Sequence, residues 1–216
     1  MIISPDRILS FDQGSPEWHA ARCGRVTASR IDDLLARLKN GGEAASRRDY
    51  RAEIVAETLT QTPAEGPFVS REMMWGTTQE PYARAAYEVF ANCLVDQVGM
   101  VLHPTINRAG ASPDGIVGSD GLLEIKCPKT ATHVATCLSG EIPAAYLGQM
   151  FWQMACTGAL WVDFVSFDPR LPRHLQLFVR RLLRDDARIA EIEAEVSRFL
   201  AEVDAVIADL NLRMAA

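Results

Sequence analysis

The stretch Ala109–Lys129, AGASPDGIVGSDGLLEIKCPK, carries the strongest signals of secondary structure and of a functional site in the chain. Its dipeptides Asp114-Gly115 and Asp120-Gly121 are turn signals, and the apolar run that starts at Leu122 has the length of a short strand. Together these features predict a β-hairpin in the middle of the chain.

Three charged side chains of this hairpin are expected to converge. Glu124 and Lys126 are two residues apart in a strand, so both project from the same face, while Ile125 points into the core. Asp114 starts the preceding arm and can fold back beside them. Two carboxylates and one ammonium suit a hard divalent cation with a nearby water to deprotonate. An isolated spacing of this kind is usually a surface turn, but unpaired charges inside an apolar strand are costly.

The net charge of −6 does not exclude a nucleic-acid partner, because the acidic residues are unevenly distributed. Residues 185–216 contain eight acidic and three basic residues, whereas the rest of the chain contains 20 acidic and 19 basic residues. The chain outside this tail is nearly neutral, which leaves room for a local basic groove.

Composition favours a soluble globular protein. The chain has 216 residues, 48% of them hydrophobic, which suits one domain with a substantial core. No apolar run approaches the ~20 residues that span a bilayer. The N-terminal residues also lack the pattern of a signal peptide, so no membrane partner is expected. The five cysteines are scattered without a CxxC spacing, which favours reduced thiols in a cytosolic compartment.

Working outward from the hairpin, the patterns predict an α/β (α+β) fold with a mixed central sheet flanked by helices. One domain is expected over residues 1–216. It would comprise a helical N-terminal part at about 15–92, a core at about 93–184 and a C-terminal amphipathic helix at about 185–212.

Two local features of this fold can be predicted in more detail. Leu94–His103 is predicted to be one strand. Pro81 interrupts the helical pattern over residues 70–90, so a bend or a fresh helix start is expected near Thr78–Glu80.

Polar residues outside the hairpin are further candidates. Gln149 and Gln153 lie four apart on one face of an apolar helix, where their amides need partners. Hydrogen bonds to neighbouring backbone groups and a role at the edge of a catalytic site are equally good interpretations of these two amides. Glu80 lies near the expected helix break, although a solvent-facing glutamate is the better reading from sequence alone. Arg22 and Ser29 lie near a helix start, where they could hold a phosphate or serve as a surface arginine and an N-cap.

Sequence motifs of several other enzyme classes are absent. The chain contains neither GxxxxGK[ST] nor GxGxxG, which are typical of phosphate-binding loops. It also has no GxSxG motif to support a nucleophilic serine.

Seven short motifs occur in a fixed order along nearly the whole chain. They are GSPEWH at 14–19, RCGRVTAS at 22–29, WGTTQE at 75–80, SPDG at 112–115, EIKCP at 124–128, AYLGQ at 145–149 and FDPR at 167–170. In this order they resemble the phage lambda exonuclease, or YqaJ-like viral recombinase, family of the PD-(D/E)xK nuclease superfamily.

The resemblance implies a restriction-endonuclease-like PD-(D/E)xK core and an Mg²⁺-dependent exonuclease that acts 5′→3′ on duplex DNA. Such an enzyme releases 5′-mononucleotides and leaves a 3′ single strand for recombination by strand annealing. Asp114 and Glu124 would be the metal carboxylates, with the backbone carbonyl of Ile125 as a further ligand. Lys126 would position or deprotonate the attacking water. Glu80 would complete the acidic cluster and is a further candidate ligand.

The resemblance also assigns roles around the metal site. Gln149 matches the glutamine of the family's active-site helix, and Arg22, Ser29 and Ser112 match residues that hold the terminal 5′-phosphate. Met73 stands where the family has an apolar wedge that splits the terminal base pair.

The chain departs from the family at one position. An arginine that the family places shortly after its EIKCP-like motif is Thr132 here, and Lys129 or His133 is a candidate substitute.

Cofactors and partners follow from the same resemblance. Two Mg²⁺ ions per site are expected, with Mn²⁺ as a substitute. The expected partners are linear double-stranded DNA, further copies of the chain in a ring-shaped homotrimer, and a single-strand annealing protein. The expected location is the cytoplasm of a bacterial host, with a phage or prophage as the source.

Two alternatives remain open at this stage. One is another PD-(D/E)xK nuclease, such as a structure-specific endonuclease. The other is a non-catalytic DNA-binding recombination protein with a decayed site, although every expected acidic ligand and the lysine are present.

Overall fold

The computed structural model describes residues 3–64 and 70–214. This part of the chain contains seven α-helices and four short 3₁₀ helices. The helices are α1 Pro16–Arg22, α2 Ile31–Leu35, α3 Ala45–Thr60, α4 Arg71–Ala91, α5 Thr130–Ser139, α6 Leu147–Thr157 and α7 Asp186–Met214.

The same residues form nine strands in two sheets. The strands are β1 Ile8–Leu9, β2 Val26–Thr27, β3 Val95–Asp96, β4 Met100–Leu102, β5 Ala109–Ala111, β6 Gly115–Val117, β7 Gly121–Lys126, β8 Trp161–Phe167 and β9 Leu177–Leu183. The smaller sheet has the order β1-β4-β5-β2, and the larger has the order β3-β6-β7-β8-β9. Each sheet is mixed, because β2 pairs parallel to β5, and β7 pairs parallel to β8.

The stretch Ala109–Lys129 contributes to both sheets. Its first strand, β5, belongs to the smaller sheet, and β6 and β7 form an antiparallel hairpin in the larger one. The hairpin register pairs Gly115 with Leu123 and Val117 with Gly121. The predicted hairpin is therefore confirmed, and the predicted mixed sheet is accompanied by a second, smaller one.

Alternation along β7 and β8 divides the core into two parts. Leu122 and Phe164 lie in the main core, which includes residues of α2, α3, α6 and α7. Leu123, Ile125 and Val165 lie in a smaller core on the other side, packed with residues of α4. Because successive strand side chains point to opposite faces, the position between Leu123 and Ile125 faces α6.

The prediction of one strand over Leu94–His103 is wrong. The segment forms β3 in the larger sheet and β4 in the smaller one. The chain crosses between the sheets at Gly99, where a Cβ atom would lie 2.3 Å from the carbonyl oxygens of Leu9 and Phe11. Since glycine alone lacks that atom, Gly99 permits the close backbone approach that joins β1 to β4.

Helix α4 runs without interruption through Pro81, so the expected fresh helix start near Thr78–Glu80 is wrong. The proline removes only one intrahelical donor. Packing beyond it offsets that loss, because Ala83 and Tyr87 are completely buried in the smaller core.

The described residues form neither a membrane-spanning helix nor a disulfide bond. Within residues 3–64 and 70–214, no helix combines the length and the apolar character needed to cross a membrane. All five cysteines are free thiols in this structure.

We predict that Gly99→Ala destabilises the protein by about 2 kcal/mol or more, because the added methyl group would collide with two backbone oxygens. Urea denaturation measures the change in the free energy of unfolding. Gly76→Ala is the matched control, since a Cβ atom at position 76 would have no neighbouring atom within 4 Å and alanine favours the helix by roughly 0.5–1 kcal/mol. Equal stability of the two variants would contradict the crossing role of Gly99.

Candidate active site

Glu124 is a buried carboxylate that three side chains hold from different directions. It is 1% exposed. The amide nitrogen of Gln149 donates to Oε1 at 2.6 Å, and that of Gln153 donates to Oε2 at 2.5 Å. The Nζ atom of Lys126 lies 2.5 Å from Oε1. Donors of this kind offset much of the cost of removing a charge from water.

The elements explain why these groups meet. Glu124 and Lys126 share one face of β7, as predicted, and that face is directed at α6. Gln149 and Gln153 are one helical turn apart on α6, so both amides reach the same carboxylate. The sequence left open whether these amides bond backbone groups or a site residue. In the structure both of them donate to Glu124.

Gln153 is a site residue that the sequence analysis did not assign a role. It is completely buried, and its Oε1 atom has no hydrogen-bond partner among the described residues. The side-chain amide therefore takes its orientation from Glu124, because the reversed amide would place two oxygens against each other. The helical spacing from Gln149 was the signal that could have added Gln153 to the predicted set.

Asp114 lies beside Glu124 at the start of β6. Its Oδ2 atom accepts a hydrogen bond from the backbone N–H of Ile125 at 2.6 Å. Its own N–H donates to the carbonyl of Leu123 at 3.1 Å. Burial, followed by repulsion from the Glu124 carboxylate, raises the pKa of Asp114 well above its usual value. A cation between the two carboxylates would relieve this repulsion.

Lys126 carries a stabilised positive charge. Burial alone favours the neutral amine, but the carboxylates of Glu124 and Asp114 outweigh it and raise the pKa of Lys126 above its usual value. In this state the lysine donates a hydrogen bond to the Glu124 carboxylate. Its role in positioning or deprotonating the attacking water stays a prediction.

Glu80 of α4 lies at the edge of this cluster. Its Oε1 atom accepts from Nη2 of Arg84 at 2.6 Å. Burial raises the pKa of Glu80, against an opposing effect of Arg84, and the Glu124 charge raises it further. Arg84 was missed by sequence analysis, although it lies one helical turn after Glu80.

The metal-binding capacity of the site rests on two carboxylates. Among the described residues, no group of three or more His, Cys, Asp or Glu side chains is arranged to hold a metal ion. Asp114 and Glu124 supply oxygen donors only, and the repulsion between them has the sign that a divalent cation neutralises. These donors fit Mg²⁺ better than zinc. The ligand roles of the Ile125 carbonyl and of Glu80 stay predictions.

The residues predicted to hold a phosphate are brought together around Trp18. Nη2 of Arg22 donates to the hydroxyls of Thr27 and Ser29, both at 3.2 Å. The Arg22 guanidinium also lies 4.2 Å from the centre of the Trp18 ring. The indole N–H of Trp18 donates to Ser112 at 3.0 Å. Trp18 was not predicted, although it precedes Arg22 by one turn of α1.

Four of these residues line one groove with a volume of about 1250 Å³, namely Trp18, Arg22, Thr27 and Ser29. Arg22, Ser29, Glu80 and Met73 all line it. Met73 is 50% exposed, so its side chain is available to a ligand. One groove therefore contacts both the cluster of Arg22, Thr27 and Ser29 and the edge of the acidic site.

His133 is excluded as a substitute for the arginine that the family has at Thr132. It is completely buried, with Nδ1 at 2.7 Å from the Ser166 hydroxyl and Nε2 at 2.8 Å from the carbonyl of Leu175. Lys129 forms an ion pair with Glu72 at 2.9 Å and lines a separate cavity, so it lies outside the groove that contains Arg22 and Ser29 and does not replace the arginine there.

Comparison with known proteins places this geometry in a family. Residues 17–160 match the model of the YqaJ-like viral recombinase domain. No curated protein matched the chain.

Two solved structures are similar over almost the whole chain: LHK-Exo in complex with dAMP, and the alkaline exonuclease LHK-Exo from Laribacter hongkongensis. Each is 49% identical with a TM-score of 0.86, and the match covers 93% of this chain and 98% of the other. A phage-related exonuclease from Haemophilus somnus 129PT shares the fold at 16% identity, with a TM-score of 0.66 and coverage of 86% of this chain and 96% of the other.

The two mixed sheets flanked by helices match the fold of these exonucleases, which confirms the predicted PD-(D/E)xK type of core. The family model covers well over half of the chain. The chain therefore belongs to the YqaJ-like viral recombinase family.

Proposed function

We propose that this protein is an Mg²⁺-dependent exonuclease that degrades one strand of linear double-stranded DNA from its 5′ end. It would release 5′-mononucleotides and leave a 3′ single strand for recombination by strand annealing. The observation that carries the proposal is the single groove that joins the Arg22–Ser29 cluster to Glu80 beside the buried acidic pair. The likeness to an alkaline exonuclease at 49% identity supports it.

The acidic pair is the proposed metal site. Asp114 and Glu124 would hold Mg²⁺, or Mn²⁺ in its place, with the Ile125 carbonyl and Glu80 as further ligands. Two ions per site are proposed. When bound, such ions acidify water and stabilise a leaving 3′ oxygen.

The remaining residues bind and orient the substrate. Lys126 would position or deprotonate the attacking water. Gln149, which is partly buried and bonded to Glu124, would keep that carboxylate in place. Arg22, Ser29 and Ser112 would bind the terminal 5′-phosphate, since a guanidinium and two hydroxyls suit its oxygens. Holding the terminal phosphate at a set distance from the acidic pair would place the first phosphodiester bond at the site.

Two further parts of the proposal concern the separation of the DNA strands and the assembly of the protein. Met73, exposed at the groove, would insert between the terminal bases as an apolar wedge. The proposed ring-shaped homotrimer and single-strand annealing partner rest on family membership alone, whereas the proposed cytoplasmic location also rests on the scattered cysteines.

We predict that Lys126→Ala still binds DNA ends but hydrolyses them at least 100-fold more slowly, because a positioned cation is lost from the reacting centre. Gel-based digestion of a 5′-phosphorylated duplex with Mg²⁺ measures turnover, and band shift in EDTA measures binding. Arg188→Ala, on the exposed face of α7, is the control and should retain full activity. Retained turnover in Lys126→Ala would refute the assigned role.

Arg22→Ala should reduce the preference for 5′-phosphorylated over 5′-hydroxyl ends by on the order of 10-fold, because one charged phosphate donor is lost. Initial rates on the two matched duplexes give the ratio. Arg25→Ala is the control, since Arg25 lines the same groove but bonds the backbone carbonyl of Ala21. If the ratio is unchanged in Arg22→Ala, Arg22 does not bind the terminal phosphate.

Gln153→Met should lower kcat by roughly 10- to 100-fold with little change in KM, because Glu124 loses the buried donor that fixes its orientation. Methionine keeps the length of the side chain. Gln176→Met is the control, since the Gln176 side chain donates to the backbone carbonyls of Pro169 and Leu171 and, among the described residues, has no bond to the site. An unchanged kcat, or a change confined to KM, would remove Gln153 from the positioning of Glu124.

A further inference from the structure

A second cavity lies beside the candidate active site, and basic residues are the most frequent type in its lining. Its volume is about 310 Å³. Its lining consists of Arg71, Glu72, Trp75, Cys127, Pro128, Lys129 and Arg170. Three of these residues are cationic and one is anionic, in a chain whose net charge is −6. The cavity is therefore a local exception to the charge of the protein.

The position of this cavity is set by β7 and α4. Lys126 ends β7, and the next three residues form one wall of the cavity. On α4, Met73 and Glu80 line the groove, whereas Arg71 and Trp75 line the cavity. At about 100° per residue, these two sets point to opposite sides of the helix. The first turns of α4 thus separate the groove from the cavity.

One of the three cations of the cavity is fixed by a buried carboxylate, and the other two remain available to a further anion. Arg170 is held by both carboxylate oxygens of the buried Asp168, at 2.7 and 3.0 Å, and lies 4.5 Å from the centre of a Trp75 ring. The pair between Lys129 and Glu72 is exposed on both sides, so it costs little to open. Arg71 has no ion-pair partner in the described part of the chain.

We propose that this cavity binds the phosphodiester backbone of the strand that is not hydrolysed, as a single-stranded 3′ tail. The proposal rests on the proposed exonuclease function, in which the groove receives the 5′ end. A cavity of this volume lies at the lower end of small-ligand pockets, roughly 300–1,000 Å³, and is too small for a duplex. With α4 between the two openings and Met73 on its groove side, the helix divides the two strands.

A mononucleotide product carries the same phosphate chemistry, so the test must separate it from a strand. The probes are a fluorescein-labelled, 5′-phosphorylated blunt duplex and the same duplex with a 3′ single-stranded tail. Binding is measured in EDTA, where no hydrolysis occurs, at several salt concentrations. The variant is Arg71→Gln/Lys129→Gln, in which both changed residues are exposed. Arg188→Gln/Arg213→Gln, on the exposed face of α7, removes the same charge elsewhere.

We expect the tail to increase the affinity of the wild-type protein for DNA by about 10-fold, and the cavity variant to lose this increase. For this variant on tailed DNA, the slope of log K against log salt concentration should become less steep by about 1.4. Two single-strand phosphate contacts are lost, and each contributes roughly 0.7 to that slope. Affinity for the blunt duplex should change less than 2-fold, and the α7 control should behave as the wild type.

Three results would overturn the proposal: the tail adds no affinity in the wild type, the increase persists in the cavity variant, or the control loses it equally. A second measurement determines the affinity for dAMP by competition with the labelled DNA. If the variant loses affinity for dAMP but keeps the tail effect, the cavity binds the product instead. Failure of the proposed function is distinguishable, because the wild type would then release no nucleotides with Mg²⁺ whatever the binding results.

Discussion

The site depends on one interaction, the fixation of the buried Glu124 carboxylate by donors from two elements. A carboxylate that is almost fully removed from water is tolerated only when its oxygens are bonded. Gln149 and Gln153 provide these bonds from α6, and Lys126 provides a third from the same strand. The packing of α6 against β7 is thus also the condition for the geometry of the site.

The arrangement has a cost that points to function. Gln153 keeps one buried carbonyl oxygen without a partner among the described residues, and burial raises the pKa of Asp114 beside a second carboxylate. Unsatisfied polar groups and like charges in close contact reduce stability. A fold selected for stability alone would replace them with apolar residues. Their presence together, next to a groove that contains Arg22, is what a site for an anionic substrate and a divalent cation requires.

Local periodicity predicted much of this structure. The period of two in a strand placed Glu124 and Lys126 on one face, and the helical repeat placed Gln149 and Gln153 on another. Contacts between distant parts of the chain could not be read in this way. Trp18 meets Ser112 across 94 positions. The split of the strand at Gly99 and the uninterrupted α4 also depend on tertiary packing, which overrides local signals. The resemblance of ordered motifs supplied the roles that geometry alone left open.

We propose that Glu124 and Asp114 belong to an enzyme that hydrolyses DNA from an end. The most direct measurement compares a linear duplex with a covalently closed circle of the same sequence, each incubated with Mg²⁺ and with EDTA. We expect that only the linear duplex with Mg²⁺ is degraded and that the products are 5′-mononucleotides. Cleavage of the circle, or oligonucleotide products from either substrate, would contradict it.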